Sequence, residues 1–139
     1  MANVYDLTKF ETYKPRGRVN RNTSQQPYLR FSREVRNGRR QVNQATLSLP
    51  LWLGKLAMEA LGDRCDLLFD SESRIIAIRR GNALKLSSGK SRSRINLSVS
   101  SWFDRFVRAY GDHRRVYFEA DIYDNGVITL TPTGEVDDA

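Results

Sequence analysis

Apolar and polar positions change period several times along the chain, and each change marks an element. Tyr28 to Phe31 opens an alternating run and Gln41 to Leu49 closes another, so two strands are expected around the turn signal Asn37-Gly38. Pro50 stands where a helix can begin, because its missing N–H costs nothing in the first turn. From Leu51 to Leu61, the residues Leu53, Leu56, Ala57, Ala60 and Leu61 recur at helical spacing, and Gly62 ends the helix. Period two resumes at 63–70 and 74–80, across the polar turn Asp70-Ser71-Glu72-Ser73. The order then runs again. A short strand at Ala83 to Leu86, a Ser/Gly/Lys turn at 87–91 and a strand at 94–99 lead to a helix capped by Ser100 or Ser101. Phe103, Phe106, Val107 and Tyr110 form its apolar stripe, and Asp104 suits its positive end. Strands at 115–122 and 127–131 flank Asp124-Asn125-Gly126.

The second pass resembles the first in residues as well as in order. Leu47-Ser48-Leu49-Pro50-Leu51-Trp52-Leu53 is echoed fifty positions later by Leu97-Ser98-Val99-Ser100-Ser101-Trp102-Phe103. Gly62-Asp63 answers Gly111-Asp112, and Arg74-Ile75-Ile76-Ala77-Ile78 answers Gly126-Val127-Ile128-Thr129-Leu130. Element order, turn glycines and both tryptophans kept together indicate an internal duplication. The expected fold is mixed α/β, mainly β: two tandem β-β-α-β-β units, 28–80 and 81–132, forming one pseudo-two-fold, small barrel-like domain. Trp52, Leu56, Trp102 and Phe106 are expected to pack between the halves as a shared core.

Charge changes the picture more than overall composition does. The net charge is +7, yet residues 1–45 alone carry ten Lys/Arg against three Asp/Glu. Residues 46–80 balance, residues 81–115 carry eight against two, and residues 116–139 have six acids and no Lys/Arg. Positive charge therefore gathers ahead of each strand-to-helix stretch. Residues 1–27 lack helical or strand periodicity and read as a basic extended arm, in which Lys14, Arg16, Arg18 and Arg21 are the candidate contacts. Residues 133–139 read as a mobile acidic tail.

Catalysis finds little to work with. His113 is the only histidine and has no evident acid partner, so a solvated loop position is expected. The single cysteine, Cys65, permits no intramolecular disulfide and fits a buried strand position in an intracellular protein. One histidine and one cysteine make no usual zinc site, and Asp63, Asp66 and Asp70 read as a solvated edge. No phosphate-cradling loop, nucleophile elbow or membrane-length apolar run occurs. A non-enzyme without cofactor or metal is expected, and it should be cytoplasmic.

The succession strand, Gly38-Arg39 turn, strand, Leu49-Pro50, helix, Ala60-Leu61-Gly62-Asp63 and the strand pair from Asp66 through Ile76 resembles the AbrB-type swapped-hairpin domain of transition-state regulators and MazE-type antitoxins. In that family two chains interlock their hairpins, and basic hairpin residues contact DNA. With both copies in one chain, the resemblance implies a single-chain pseudo-dimer over about residues 28–131. Gly38 and Pro50 stand twelve positions apart, farther than in the family, which implies a longer hairpin. Independently of family, arginine-bearing ribbons suit groove and phosphate contacts. The candidate set is Arg30, Arg33, Arg36, Arg39 and Arg40 in the first hairpin, with Lys85, Lys90, Arg92 and Arg94 in the second. Double-stranded DNA is the expected partner, with RNA as a second candidate and transcription regulation or antitoxin action as the role. A monomeric pseudo-dimer or a higher oligomer both remain open. The other class is a non-enzymatic assembly subunit, for instance of a viral particle, docking on a protein partner through the arm.

Overall fold

The computed structural model describes residues 25–36, 38, 40–86 and 94–138. Within them the elements follow as β1 (Tyr28–Arg36), β2 (Arg40–Pro50), α1 (Leu51–Leu61), β3 (Arg64–Asp70), β4 (Ile75–Arg80), β5 (Leu84–Lys85), β6 (Arg94–Ser98), α2 (Phe103–Tyr110), β7 (Arg115–Ile122) and β8 (Ile128–Asp137). All eight strands join one sheet in the order β5-β3-β4-β8-β7-β1-β2-β6. Every pairing is antiparallel. The outer strands β5 and β6 both line a cavity of about 190 Å³ with Leu67, Val99 and Trp102. The molecule is thus mainly β, a nearly closed barrel-like sheet with two helices.

Alternation along the strands places one face inside. Leu29 and Phe31, Ala45, Leu47 and Leu49, Ile76 and Ile78, Ile95, Leu97 and Val99, and Ile128 and Leu130 are all buried. Two of the pairings join residues that match in the repeated sequence: Leu47 sits opposite Leu97, and Ala77 opposite Thr129. Each helix ends on a glycine in the left-handed region, φ 88° at Gly62 and 94° at Gly111. The Gly62 N–H donates to the Met58 carbonyl and the Gly111 N–H to the Val107 carbonyl.

Helix α1 lies close against β6. A Cβ placed on Gly54 would stand 2.3 Å from Ile95 Cδ1 and 3.0 Å from its Cγ1, and Ile95 is fully buried. Gly54→Ala is expected to lower stability by about 1–2 kcal/mol net, although alanine favours a helix by about 1 kcal/mol. Denaturant unfolding reads the change, and Ile95→Val in the same chain should recover part of it. An unchanged midpoint in the single variant would mean that helix and strand separate at no cost.

Three expectations are corrected. Trp52 and Leu56 are 42% and 40% exposed, and Ala60 is exposed too; the buried stripe of α1 is Leu53, Gly54, Ala57 and Leu61. Leu53, Ala57 and Leu61 keep the expected face, and docking at the side-chain-free Gly54 shifts the centre of the stripe by about half of the 100° step between neighbouring residues. Matching the two glycine caps puts Ala57 level with Phe106, and so Trp52 level with the exposed Ser101. Neither Ser100 nor Ser101 caps α2. They form a 3-10 turn with Trp102, and the Ser100 hydroxyl instead accepts from the Ala45 N–H at 3.1 Å. The acidic tail is not loose. Strand β8 bends at Gly134 (φ 90°) and continues, pairing Val136 with Val116 and Asp137 with Arg115.

Candidate nucleic-acid interface

The first hairpin outruns the barrel. Strand β1 pairs with β7 only at Tyr28–Arg30, and β2 pairs with β6 only at Thr46–Pro50. Five cross-strand pairs, from Ser32↔Gln44 to Arg36↔Arg40, have no third strand beside them among the described residues. At about 3.4 Å per residue they make a two-stranded ribbon projecting on the order of 17 Å. Its length follows from sequence: period two persists to Arg36, while the positions that continue the buried face past Phe31 and Ala45 become Arg33, Val35, Gln41 and Asn43.

Arg40 is exposed on the ribbon, and Arg30 is exposed at its base, where β1 still pairs with β7. Arg33 is oriented by the body: its guanidinium lies 2.8 Å from the Asp112 carboxylate and 5.0 Å from the Phe103 ring centre. Gln41, Asn43 and Gln44 stand opposite Val35, Arg33 and Ser32. By strand alternation Gln41 and Asn43 share one face with Arg33, and Gln44 shares the other with Arg40. Amide side chains bond adenine edges as guanidinium bonds guanine, so these faces can do more than neutralise phosphate. These amides were missed as candidates, although Arg40-Gln41-Val42-Asn43-Gln44 displays them openly. Arg36 is placed only as the strand partner of Arg40.

Two of the remaining candidates, Lys85 and Arg94, are placed away from the ribbon. Lys85 is exposed on β5, at the far edge of the sheet, opposite Arg64. Arg39, Lys90, Arg92 and the arm residues Lys14, Arg16, Arg18 and Arg21 lie outside the described residues. Arg94 serves the fold itself. Its Nε donates to Ser48 Oγ at 2.6 Å, one terminal nitrogen donates to the Gln26 carbonyl at 2.5 Å and the Ser48 carbonyl at 3.1 Å, and the guanidinium covers the Tyr28 ring at 4.3 Å. Burial pulls the Arg94 guanidinium below its ordinary pKa, and Tyr28 opposes that shift. Arg115 lies 4.8 Å from the same ring centre, and Tyr117 Oη donates to Asp137 at 2.5 Å.

Arg94 thus straps the start of β1 to β2 and β6. Arg94→Met keeps the aliphatic stem but strands the buried Ser48, and should cost about 2–3 kcal/mol, charge-assisted bonds of this kind contributing about 1.5–3 kcal/mol each before solvent screening. Arg40→Met should stay within about 0.5 kcal/mol of wild type. Equal thermal midpoints for the two variants would refute the strap.

The other titratable groups are tied into local structure. Asp66 Oδ1 accepts from the amides of Asn82 and Ala83, each at 3.1 Å. Asp70 accepts from Ser73 Oγ at 2.8 Å and from the Glu72 N–H at 3.1 Å, and these bonds, Ser73 first, lower its pKa. His113 is not simply solvated: Nδ1 meets Asp138 Oδ1 at 2.5 Å. Cys65 is buried on β3, and burial, then Asp66, pushes its thiol up to about 11. Among the described residues no group of three His, Cys, Asp or Glu side chains is placed to hold a metal ion. No described helix is long and apolar enough to cross a membrane. No family model, curated protein or solved structure matches the chain.

Proposed function

We propose that this chain binds nucleic acid, with duplex DNA as the target and the β1–β2 ribbon as the reading element, in a transcription-regulator or antitoxin role. The observation that carries the reading is the ribbon itself: two strands paired beyond the barrel, bearing Arg33 and Arg40 with Gln41, Asn43 and Gln44, and with Arg30 exposed at their base. A ribbon of two strands fits the major groove, about 12 Å wide in B-form DNA. In this reading the molecule is a single-chain pseudo-dimer of two β-β-α-β-β units, the AbrB-like arrangement. Antiparallel pairing of matched residues, Leu47 with Leu97 and Ala77 with Thr129, is what a two-fold axis requires. Equivalent bonds from Phe31 N–H to the Arg114 carbonyl and from Leu86 N–H to the Asp63 carbonyl support it further. The units differ at the hairpin: β1 pairs with β2, whereas β5 and β6 are unpaired with each other among the described residues.

Retention of a duplex in a gel-shift series tests the reading. Affinity should fall by about 0.9 log unit per log unit of salt for each phosphate neutralised. Absence of any retained duplex at low salt would end it.

The assembly reading draws on one observation. The Trp52 indole N–H donates to the Gln25 carbonyl at 3.0 Å, and Leu56 stays exposed one turn along, just where the arm meets the body. In that reading, removing residues 1–24 leaves a folded domain that no longer joins its protein partner, and co-assembly by the truncated form excludes it.

A further inference from the structure

We propose that the cleft between α2 and the β3–β4 turn is a binding site for a phosphate-bearing ligand, held by Arg74, Arg105 and Arg108. The cleft encloses about 430 Å³ and is lined by these arginines with Phe69, Ser71 and Ala109. That volume falls within the range of small-ligand pockets, about 300–1,000 Å³. Three arginines and a serine line it with no carboxylate, and the Arg105 guanidinium also lies 5.4 Å from the Trp102 ring centre. Among the described residues none of the three arginines forms an ion pair. Like charges crowded in a concave surface repel one another, and an anion relieves that repulsion. Guanidinium holds phosphate through paired, geometrically matched bonds, and Phe69 supplies an apolar wall for whatever carries the phosphate.

The cleft is built rather than incidental. Arg74 has φ 61°, the only non-glycine in the left-handed region among the described residues. A glycine would sit there without strain, so an arginine at this turn carries a conformational cost. The turn is held from both sides: the Arg74 N–H donates to the Asp70 carbonyl at 2.8 Å, and Tyr110 Oη donates to the Arg74 carbonyl at 2.8 Å. Burial raises the Tyr110 phenol far above its usual pKa, which keeps that donor protonated. Phe69 is braced by Phe106, ring centres 5.0 Å apart, and by Tyr110 at 5.8 Å. Helix and turn are therefore fixed before any ligand arrives.

The site does not depend on the ribbon reading. Its phosphate has two possible sources, a free phosphomonoester or diphosphate and the backbone or end of a nucleic-acid strand. Calorimetric titration of the full chain at low salt, with pyrophosphate, adenosine 5′-monophosphate and a 5′-phosphorylated oligonucleotide, separates them. Saturable binding with Kd below about 1 mM is expected for at least one probe. Arg74→Gly should weaken it by about tenfold or more without lowering the thermal midpoint, because glycine accepts φ 61°. Arg108→Gln should act in the same direction. Loss confined to the free probes assigns a small-molecule anion, and loss confined to the oligonucleotide assigns a strand. Absence of saturable binding by all three probes, or binding unchanged in both variants, overturns the proposal. A variant lacking the ribbon arginines should bind the free probes as wild type does, so failure of one reading leaves the other standing.

Discussion

Duplex affinity should fall at least about a hundredfold at low salt when Arg30, Arg33 and Arg40 are replaced together by alanine, at about 1–3 kcal/mol for each base- or phosphate-bonding arginine. The slope of log affinity against log salt should also flatten, by up to about 0.9 for each of the three that meets a phosphate. The fold should survive. Arg30 and Arg40 are exposed, and only Arg33 has packing to lose, over Phe103 and against Asp112. Those contacts are worth about 1 kcal/mol at a half-exposed site. Gel-shift isotherms at several salt concentrations, with thermal unfolding of the same samples, check both halves. Undiminished affinity in a folded triple variant would remove the ribbon as the reading element. Exchanging Gln41 and Asn43 for alanine should instead relax the discrimination among sequences while leaving the salt slope alone.

The second large effect lies in the core. Phe106→Ala is expected to cost about 3–5 kcal/mol, a large share of the roughly 5–15 kcal/mol that holds a domain folded. Phe106 is fully buried and meets Phe69, Trp102 and Tyr110 with ring centres at 5.0, 5.9 and 6.2 Å. Removing it opens a void beneath α2 and slackens the aromatic brace that holds the β3–β4 turn. Leu56→Ala, at a position 40% exposed, should cost under about 1 kcal/mol. Chemical denaturation of the pair makes a sharp comparison, since helical spacing alone assigns both to one core. Similar losses would mean that the two helices do not present the faces described.

Much of the element list was legible because it depends on local periodicity. Alternation at Ala45, Leu47 and Leu49 and again at Ile95 and Leu97 marked β2 and β6, and the matched residues Leu47 and Leu97 face each other across the sheet. Glycines at 62 and 111 marked both helix ends. Helix faces were less legible. Leu56 and Ala57 differ by one position, and a stripe of five apolar residues does not say which of them touches the sheet. The close approach of Gly54 to Ile95 makes that choice, between residues forty-one apart in sequence. The roles of arginines were least legible of all. Arg94 and Arg40 look alike on paper, yet one is bonded to Ser48 and Gln26 and the other is exposed.

Residue order alone carried the strands and the helices, because backbone preferences and apolar period act over a few neighbouring residues. Packing across the chain settled the rest: which side of α1 is wet, that the acidic end completes β8, that Arg94 is a strap, and that Arg74, Arg105 and Arg108 meet around one cleft. Those outcomes depend on partners many residues away, whose distances no local pattern encodes. A charge is written in the sequence, but the groups it faces are chosen only when the barrel curls.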